Sequence, residues 1–162
     1  MGERKERVDK KVDLKATVSA VFKVQISDLA FLCNEPLKNV AERLIIQGMV
    51  SRDVAEEYCK WLRRDFIYGK SIGIGHEDRP TLKVKFEGET DKVSMRFEKY
   101  HYDRLKDLAY ALDNTPSATA SILLRLSTKE SAFMHRFINN LDVDDAQKMK
   151  VWKFASKAWG LK

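Results

Sequence analysis

Side chains that carry covalent or metal chemistry are few in this sequence, and they are scattered. His76, His101 and His135 show no metal-ligand spacing, and Cys33 and Cys59 cannot complete a four-ligand zinc site without several histidines nearby. There is no Walker lysine loop, no nucleophile elbow and no HExxH pair. Gly73 and Gly75, in Ser71-Ile72-Gly73-Ile74-Gly75, are too few for a dinucleotide loop and read as a flexible connection. Neither an enzyme nor a cofactor or metal is expected. What the sequence does offer is ordered hydrogen-bonding capacity. Lys92, Ser94 and Arg96 alternate with Val93, Met95 and Phe97, and Asp13, Lys15 and Thr17 alternate with Leu14, Ala16 and Val18. A period of two places the apolar set on one face of a strand and the polar set on the other.

The rest of the chain must position those faces. With 44% hydrophobic and 33% charged residues in 162, the composition is that of a globular protein of one domain or two very small ones. Three Pro and seven Gly exclude collagen-like or low-complexity architectures. No window approaches the roughly 18 apolar residues of a membrane span. The start, Met1 to Lys15, is charged and lacks the apolar region of a signal peptide. A reduced, cytoplasmic protein without a membrane partner is the expectation. Thirty Lys and Arg against 24 Asp and Glu give a net charge of +6, with a pI near 9.3. Such a surplus suits a polyanionic partner without proving one. Beyond Asp145 the chain carries Lys148, Lys150, Lys153, Lys157 and Lys162 and no acid, whereas the N-terminal arm is of mixed sign.

An internal repeat organises the pattern. After the strand at Val93, residues Leu105, Leu108, Ala109 and Leu112 mark one face of an amphipathic helix. Asp113-Asn114-Thr115-Pro116 ends it, with Thr115 a good N-cap and Pro116 suited to the first helical position. A second helix follows through Ala120, Leu123 and Leu124. Shifting back by 79 positions equates Leu14, Ala16 and Val18 with Val93, Met95 and Phe97. The same shift equates Ile26, Leu29, Ala30 and Cys33 with the first helical face, and Ala41, Leu44 and Ile45 with the second. Val54, Tyr58 and Leu62 fall on Phe133, Phe137 and Leu141, which predicts a third helix in each copy. The Asn34-Glu35-Pro36 turn lies within one position of Asn114-Thr115-Pro116. A strand with two helices cannot bury its own apolar face or satisfy its own backbone. Two copies can supply each other by pairing strand with strand, which predicts an internal pseudo-two-fold.

Val93-Ser94-Met95-Arg96-Phe97, Tyr102-Asp103-Arg104-Leu105-Lys106-Asp107-Leu108-Ala109 and Thr115-Pro116-Ser117 together resemble a ribbon-helix-helix unit of the Arc/MetJ superfamily. The likeness covers about 92–126 directly and about 13–47 through the repeat. A tandem arrangement in one chain is similar to TraY-type conjugation proteins. The resemblance implies a mainly α fold with a short antiparallel β-ribbon, two ribbon-helix-helix repeats forming a pseudo-dimer. It implies double-stranded DNA as partner, because a two-stranded ribbon fits the major groove. Base contacts would fall to Lys15 and Thr17 in the first copy and to Lys92, Ser94 and Arg96 in the second, with Arg96 foremost because it can pair bidentately with guanine. Asp13 is an awkward groove residue, expected beyond the paired segment. Phosphates would be held at the start of the second helix, by Lys38 in one copy and Thr115 and Ser117 in the other. The copies differ, so the half-sites should differ.

The chain divides into an N-terminal arm (1–11), a first copy with its third helix (12–68), a linker (69–91), a second copy with its third helix (92–141) and a lysine-rich helix (142–162). Within the linker, 81–87 alternates well enough to form an extra strand hairpinned onto 92–97, or an arm against the domain. The expected function is transcription regulation, chiefly repression, by a sequence-specific double-stranded DNA-binding protein of plasmid type. The alternatives are an accessory factor at an origin of transfer and a helical protein-interaction module whose ribbon is merely structural. Trp152 and Trp159 either pack on their own domain or mediate self-association on DNA. The outer face of an ordinary sheet is the plain alternative for the ribbon residues.

Overall fold

The computed structural model describes residues 10–162, so Arg4, Lys5, Arg7 and most of the N-terminal arm lie outside the described residues. The chain is mainly helical with two short antiparallel strand pairs. β1 (Lys11–Ser19) leads into α1 (Ala20–Leu32), α2 (Leu37–Val50) and α3 (Arg52–Tyr58). A single 3-10 turn, Cys59–Trp61, then precedes β2 (Phe66–Tyr68) and β3 (Ser71–Gly73). The second half runs β4 (Thr90–Glu98), α4 (Lys99–Leu112), α5 (Pro116–Lys129), α6 (Ser131–Asn139) and α7 (Asp145–Trp159). β4, α4, α5 and α6 each begin 79 residues after β1, α1, α2 and α3.

β1 and β4 pair antiparallel over their full lengths, and Lys15 faces Ser94 at the centre of the register. Those two are the residues that the 79-residue shift equates. Leu14, Ala16, Val18, Val93, Met95 and Phe97 are all buried, as period-two alternation dictates. Their shared face lies on α2 and α5, which pack against each other beneath the ribbon. A third helix follows in each half, and Val54, Tyr58, Leu62, Phe133, Phe137 and Leu141 are buried. The Tyr58 hydroxyl donates to the Met49 carbonyl at 2.6 Å. A buried hydroxyl needs such a partner.

The turn between the first two helices obeys the same shift. Asn34 and Asp113 both adopt the left-handed conformation, at φ 58° and 59°. Short polar side chains tolerate that region better than other non-glycine residues. The prolines mislead by one position, because Pro36 is the N-cap of α2 whereas Pro116 is the first residue of α5.

The linker differs from its expected form. Residues 69–91 do not begin as a flexible connection: β2 and β3 form a hairpin turning at Gly69, whose φ is 55°. Gly73 is needed for close approach, since a Cβ there would sit 2.5 Å from Leu62 Cδ1 and 2.7 Å from Cys59 Sγ. Arg79 then pins the chain by donating to the carbonyls of Cys59 at 2.7 Å and Leu62 at 3.1 Å. Residues 81–87 do not form a strand, and β4 pairs only with β1 among the described residues. The segment is instead an extended arm against α5, held by Asn114 Nδ2 to the Leu82 carbonyl at 2.8 Å and by Arg125 to the Lys85 carbonyl at 2.9 Å.

Each half's extension covers the other half. The hairpin that follows α3 packs on α4, where the Arg104 guanidinium lies 4.9 Å over the Phe66 ring and donates to the Ile67 carbonyl. α7, which follows α6, packs on α1: Gln147 Nε2 donates to the Leu32 carbonyl at 2.7 Å, and Trp159 Nε1 to Gln25 Oε1 at 3.1 Å. Trp152 stacks on His135 at 3.6 Å. Both tryptophans are therefore half-buried against their own domain.

Candidate nucleic-acid interface

The alternation of β1 and β4 brings every sequence-predicted base-contacting residue onto one outward face. Lys15, Lys92, Ser94 and Arg96 are exposed there and Thr17 is half-buried. The antiparallel register sets Asp13 opposite Arg96, Lys15 opposite Ser94, and Thr17 opposite Lys92. Asp13 therefore does not lie beyond the paired segment, contrary to the sequence expectation. Its carboxylate accepts from Arg96 Nε at 2.9 Å, with both side chains largely in solvent. An exposed pair of this kind contributes about 0–1 kcal/mol, so it orients the guanidinium without locking it away. The equivalent pair in the other half has Lys92 Nζ donating to Thr17 Oγ1 at 2.5 Å. At the centre, Lys15 and Ser94 make no side-chain hydrogen bond or ion pair among the described residues.

Two contacts that the sequence pattern did not expose fix the ribbon on its helices. Glu42, in the second turn of α2, accepts from the Arg96 backbone N–H at 2.8 Å. Ser121, in the second turn of α5, donates to the Thr17 carbonyl at 2.6 Å. The 79-residue shift equates Glu42 with Ser121 and Thr17 with Arg96, so each half's helix holds the other half's strand. An edge strand exposes a row of unpaired backbone groups, and these contacts satisfy one on each edge. They also lay the first half of α2 along one edge of the ribbon and that of α5 along the other.

Lys38 and Thr115 are exposed at the starts of α2 and α5, and Ser117 is half-buried. Thr115 caps α5 by accepting from the Ala118 N–H at 3.1 Å. α2 has no side-chain cap at Pro36, which leaves its first N–H groups open. Free helical N–H groups and the positive end of the helix dipole favour an anion. Glu35, just before α2, is engaged by Arg43. The residues that the sequence assigns to phosphate contact thus flank the ribbon, one set on each side.

Asp91, at the end of the ribbon, accepts from the Lys92 N–H at 2.7 Å and pairs with Lys23 at 3.2 Å. Those contacts hold its carboxyl below the usual range, the backbone N–H first. Burial, and then the Glu35 charge, raise the Cys33 thiol to about 11. Cys59 is raised as well, mainly by burial. Both thiols are thus held in the neutral form, not activated. Among the described residues no group of three or more His, Cys, Asp or Glu could hold a metal ion, and no helix is long and apolar enough to cross a membrane. No family model, curated protein or solved structure matches this chain.

Proposed function

We propose that this chain is a sequence-specific double-stranded DNA-binding protein, two ribbon-helix-helix units fused into a pseudo-dimer that regulates transcription, chiefly by repression. The observation that carries the reading is the outer face of the β1–β4 ribbon. It presents Lys15, Thr17, Lys92, Ser94 and Arg96 together, flanked on both edges by helix N-termini. A ribbon of this width suits the major groove, where side chains reach base edges while flanking N–H groups reach phosphates. The register centred on Lys15 and Ser94, the paired left-handed residues and the exchanged helix–strand contacts all support an internal two-fold.

The face is asymmetric in detail. One half offers Lys92, Ser94 and Arg96; the other offers Asp13, Lys15 and Thr17. A non-palindromic site follows, with guanine expected under Arg96. An accessory role at an origin of transfer uses the same face and differs only in where the DNA site lies. An interaction module would need an exposed apolar patch, for which Phe133, Phe137, Trp152 and Trp159 are the aromatic candidates. The two phenylalanines are buried and the tryptophans half-buried, so they form no open apolar patch.

Charge reversal tests the reading. Fluorescence anisotropy with labelled duplexes should show that Lys15→Glu and Arg96→Glu abolish binding. Lys70→Glu, in the β2–β3 turn and of equal charge change, should leave it nearly intact. If all three variants weaken binding alike, with a steep salt dependence, only diffuse positive charge is touching phosphate.

A further inference from the structure

Beside the ribbon, but not part of its DNA-facing side, lies a half-open cavity of about 740 Å³. That is within the range of small-molecule sites, about 300–1,000 Å³. Its walls come from the end of β1, the first turns of α1, the middle of α5 and Trp159 of α7. Its roof is the 82–87 arm. Val18 and Ile122 form a buried floor, and Phe22, Leu126 and Trp159 are half-buried at the sides. The arm keeps the alternation that its sequence announced. Leu82, Val84 and Phe86 are half-buried over the cavity, while Lys83, Lys85 and Glu87 are exposed.

An extended segment with alternating apolar residues normally pairs with a strand. This one instead spans open space, tied down at Leu82, at Lys85 and where the Ala20 N–H reaches the Glu89 carbonyl at 2.9 Å. The rim carries Arg125 and Lys129, one turn apart on α5. Arg125 gives one N–H to the Lys85 carbonyl, and neither residue has an ion-pair partner among the described residues. Glu87 is the one acid lining the cavity.

The geometry points to a binding site for a small amphipathic carboxylate: an apolar body between the arm, α1 and α5, with its carboxylate at Arg125 and Lys129. An apolar body gains by leaving water for such walls. The unengaged part of the Arg125 fork suits a carboxylate, and Lys129 adds a second positive charge. The site stands independently of the DNA reading, because none of the proposed base or phosphate contacts lines it.

Trp159 lies in the wall and serves as reporter. The full chain is titrated with dodecanoate, and with dodecanol as the uncharged counterpart, below their aggregation concentrations. Trp159→Phe identifies the responding signal. Dodecanoate should give a saturable change that is lost in Trp159→Phe, with dodecanol weaker by about tenfold, the loss expected for a charge-assisted contact. Arg125→Ala/Lys129→Ala should erase the preference for the acid. Val84→Trp on the arm, which fills the cavity without touching the helical core, should abolish binding at unchanged melting temperature. Dodecanoate and dodecanol binding equally, a response that never saturates, or full binding by Val84→Trp would each overturn the assignment.

Discussion

Gly48 of α2 and Ser127 of α5 are equated by the 79-residue shift, and they meet where the two helices pack. A Cβ on Gly48 would lie 2.2 Å from Ser127 Oγ but 3.5 Å from Ser127 Cβ. The hydroxyl alone forbids the side chain. It is buried and donates to the Leu44 carbonyl at 3.2 Å. In an isolated helix Gly→Ala stabilises by about 1 kcal/mol. Here Gly48→Ala must displace the hydroxyl, losing a buried hydrogen bond at about 1–3 kcal/mol, or part the helices at a similar cost of overpacking. The net expectation is destabilisation by up to about 2 kcal/mol. Ser127→Ala removes the obstructing atom and leaves an ordinary van der Waals contact, so Gly48→Ala/Ser127→Ala should recover the wild-type stability or exceed it. Urea unfolding of the four proteins gives the coupling energy directly. A stabilising Gly48→Ala, or additive effects in the double variant, would refute this account of the α2–α5 contact.

Further outcomes follow from other contacts. Tyr58→Phe leaves the Met49 carbonyl without its donor and should cost about 1–2 kcal/mol in urea unfolding; an unchanged midpoint would contradict that. Asp13→Asn removes the acid beside Arg96 and should tighten DNA binding several-fold at low salt, read by anisotropy, whereas a loss would make Asp13 essential for orienting Arg96. Cys33 has its pKa raised from the ordinary 9.0 to about 11. Its contribution to stability is therefore complete below pH 9.0 and lost as the pH rises through about 11. Folded protein at pH 8 should resist a thiol reagent at Cys33, and rapid labelling there would show the site to be open. Asp91 is shifted the other way. Its contribution is present above the ordinary carboxylate pKa and fades as pH falls through its own lower value, so Asp91→Asn and wild type should converge in melting temperature in acid.

Much of the fold is legible because each half carries two periodicities, two in the strand and 3.6 in the helices, and the same shift aligns both. The strand faces, the three helices of each copy and the clustering of Lys15, Thr17, Lys92, Ser94 and Arg96 follow from that alignment. The β2–β3 hairpin was illegible because three-residue strands are too short to display a period. There Gly73 and Gly75 look like linker residues, although Gly73 is demanded by packing on Leu62 and Cys59. The 81–87 segment shows the converse. Its alternation is genuine, but Leu82, Val84 and Phe86 lie over the cavity beside α1 and α5, and the segment pairs with no strand. Asp13 has no place in the strand pattern that its charge alone reveals, because the neighbour that accommodates it, Arg96, is set by the cross-strand register. Glu42 sits beside polar helix positions and Ser121 within the buried run 119–124, with nothing local to mark either as a strand contact. Only the docking of each helix on the opposite strand reveals their role.

Selection of binding sites from a random duplex pool, with wild type and Arg96→Ala in parallel, tests the central claim most directly. The account predicts one enriched, non-palindromic site containing a guanine whose selection disappears in Arg96→Ala, at a cost of about 1–3 kcal/mol on that site. No enrichment, or the same enriched site in both proteins, would contradict a ribbon that reads the major groove.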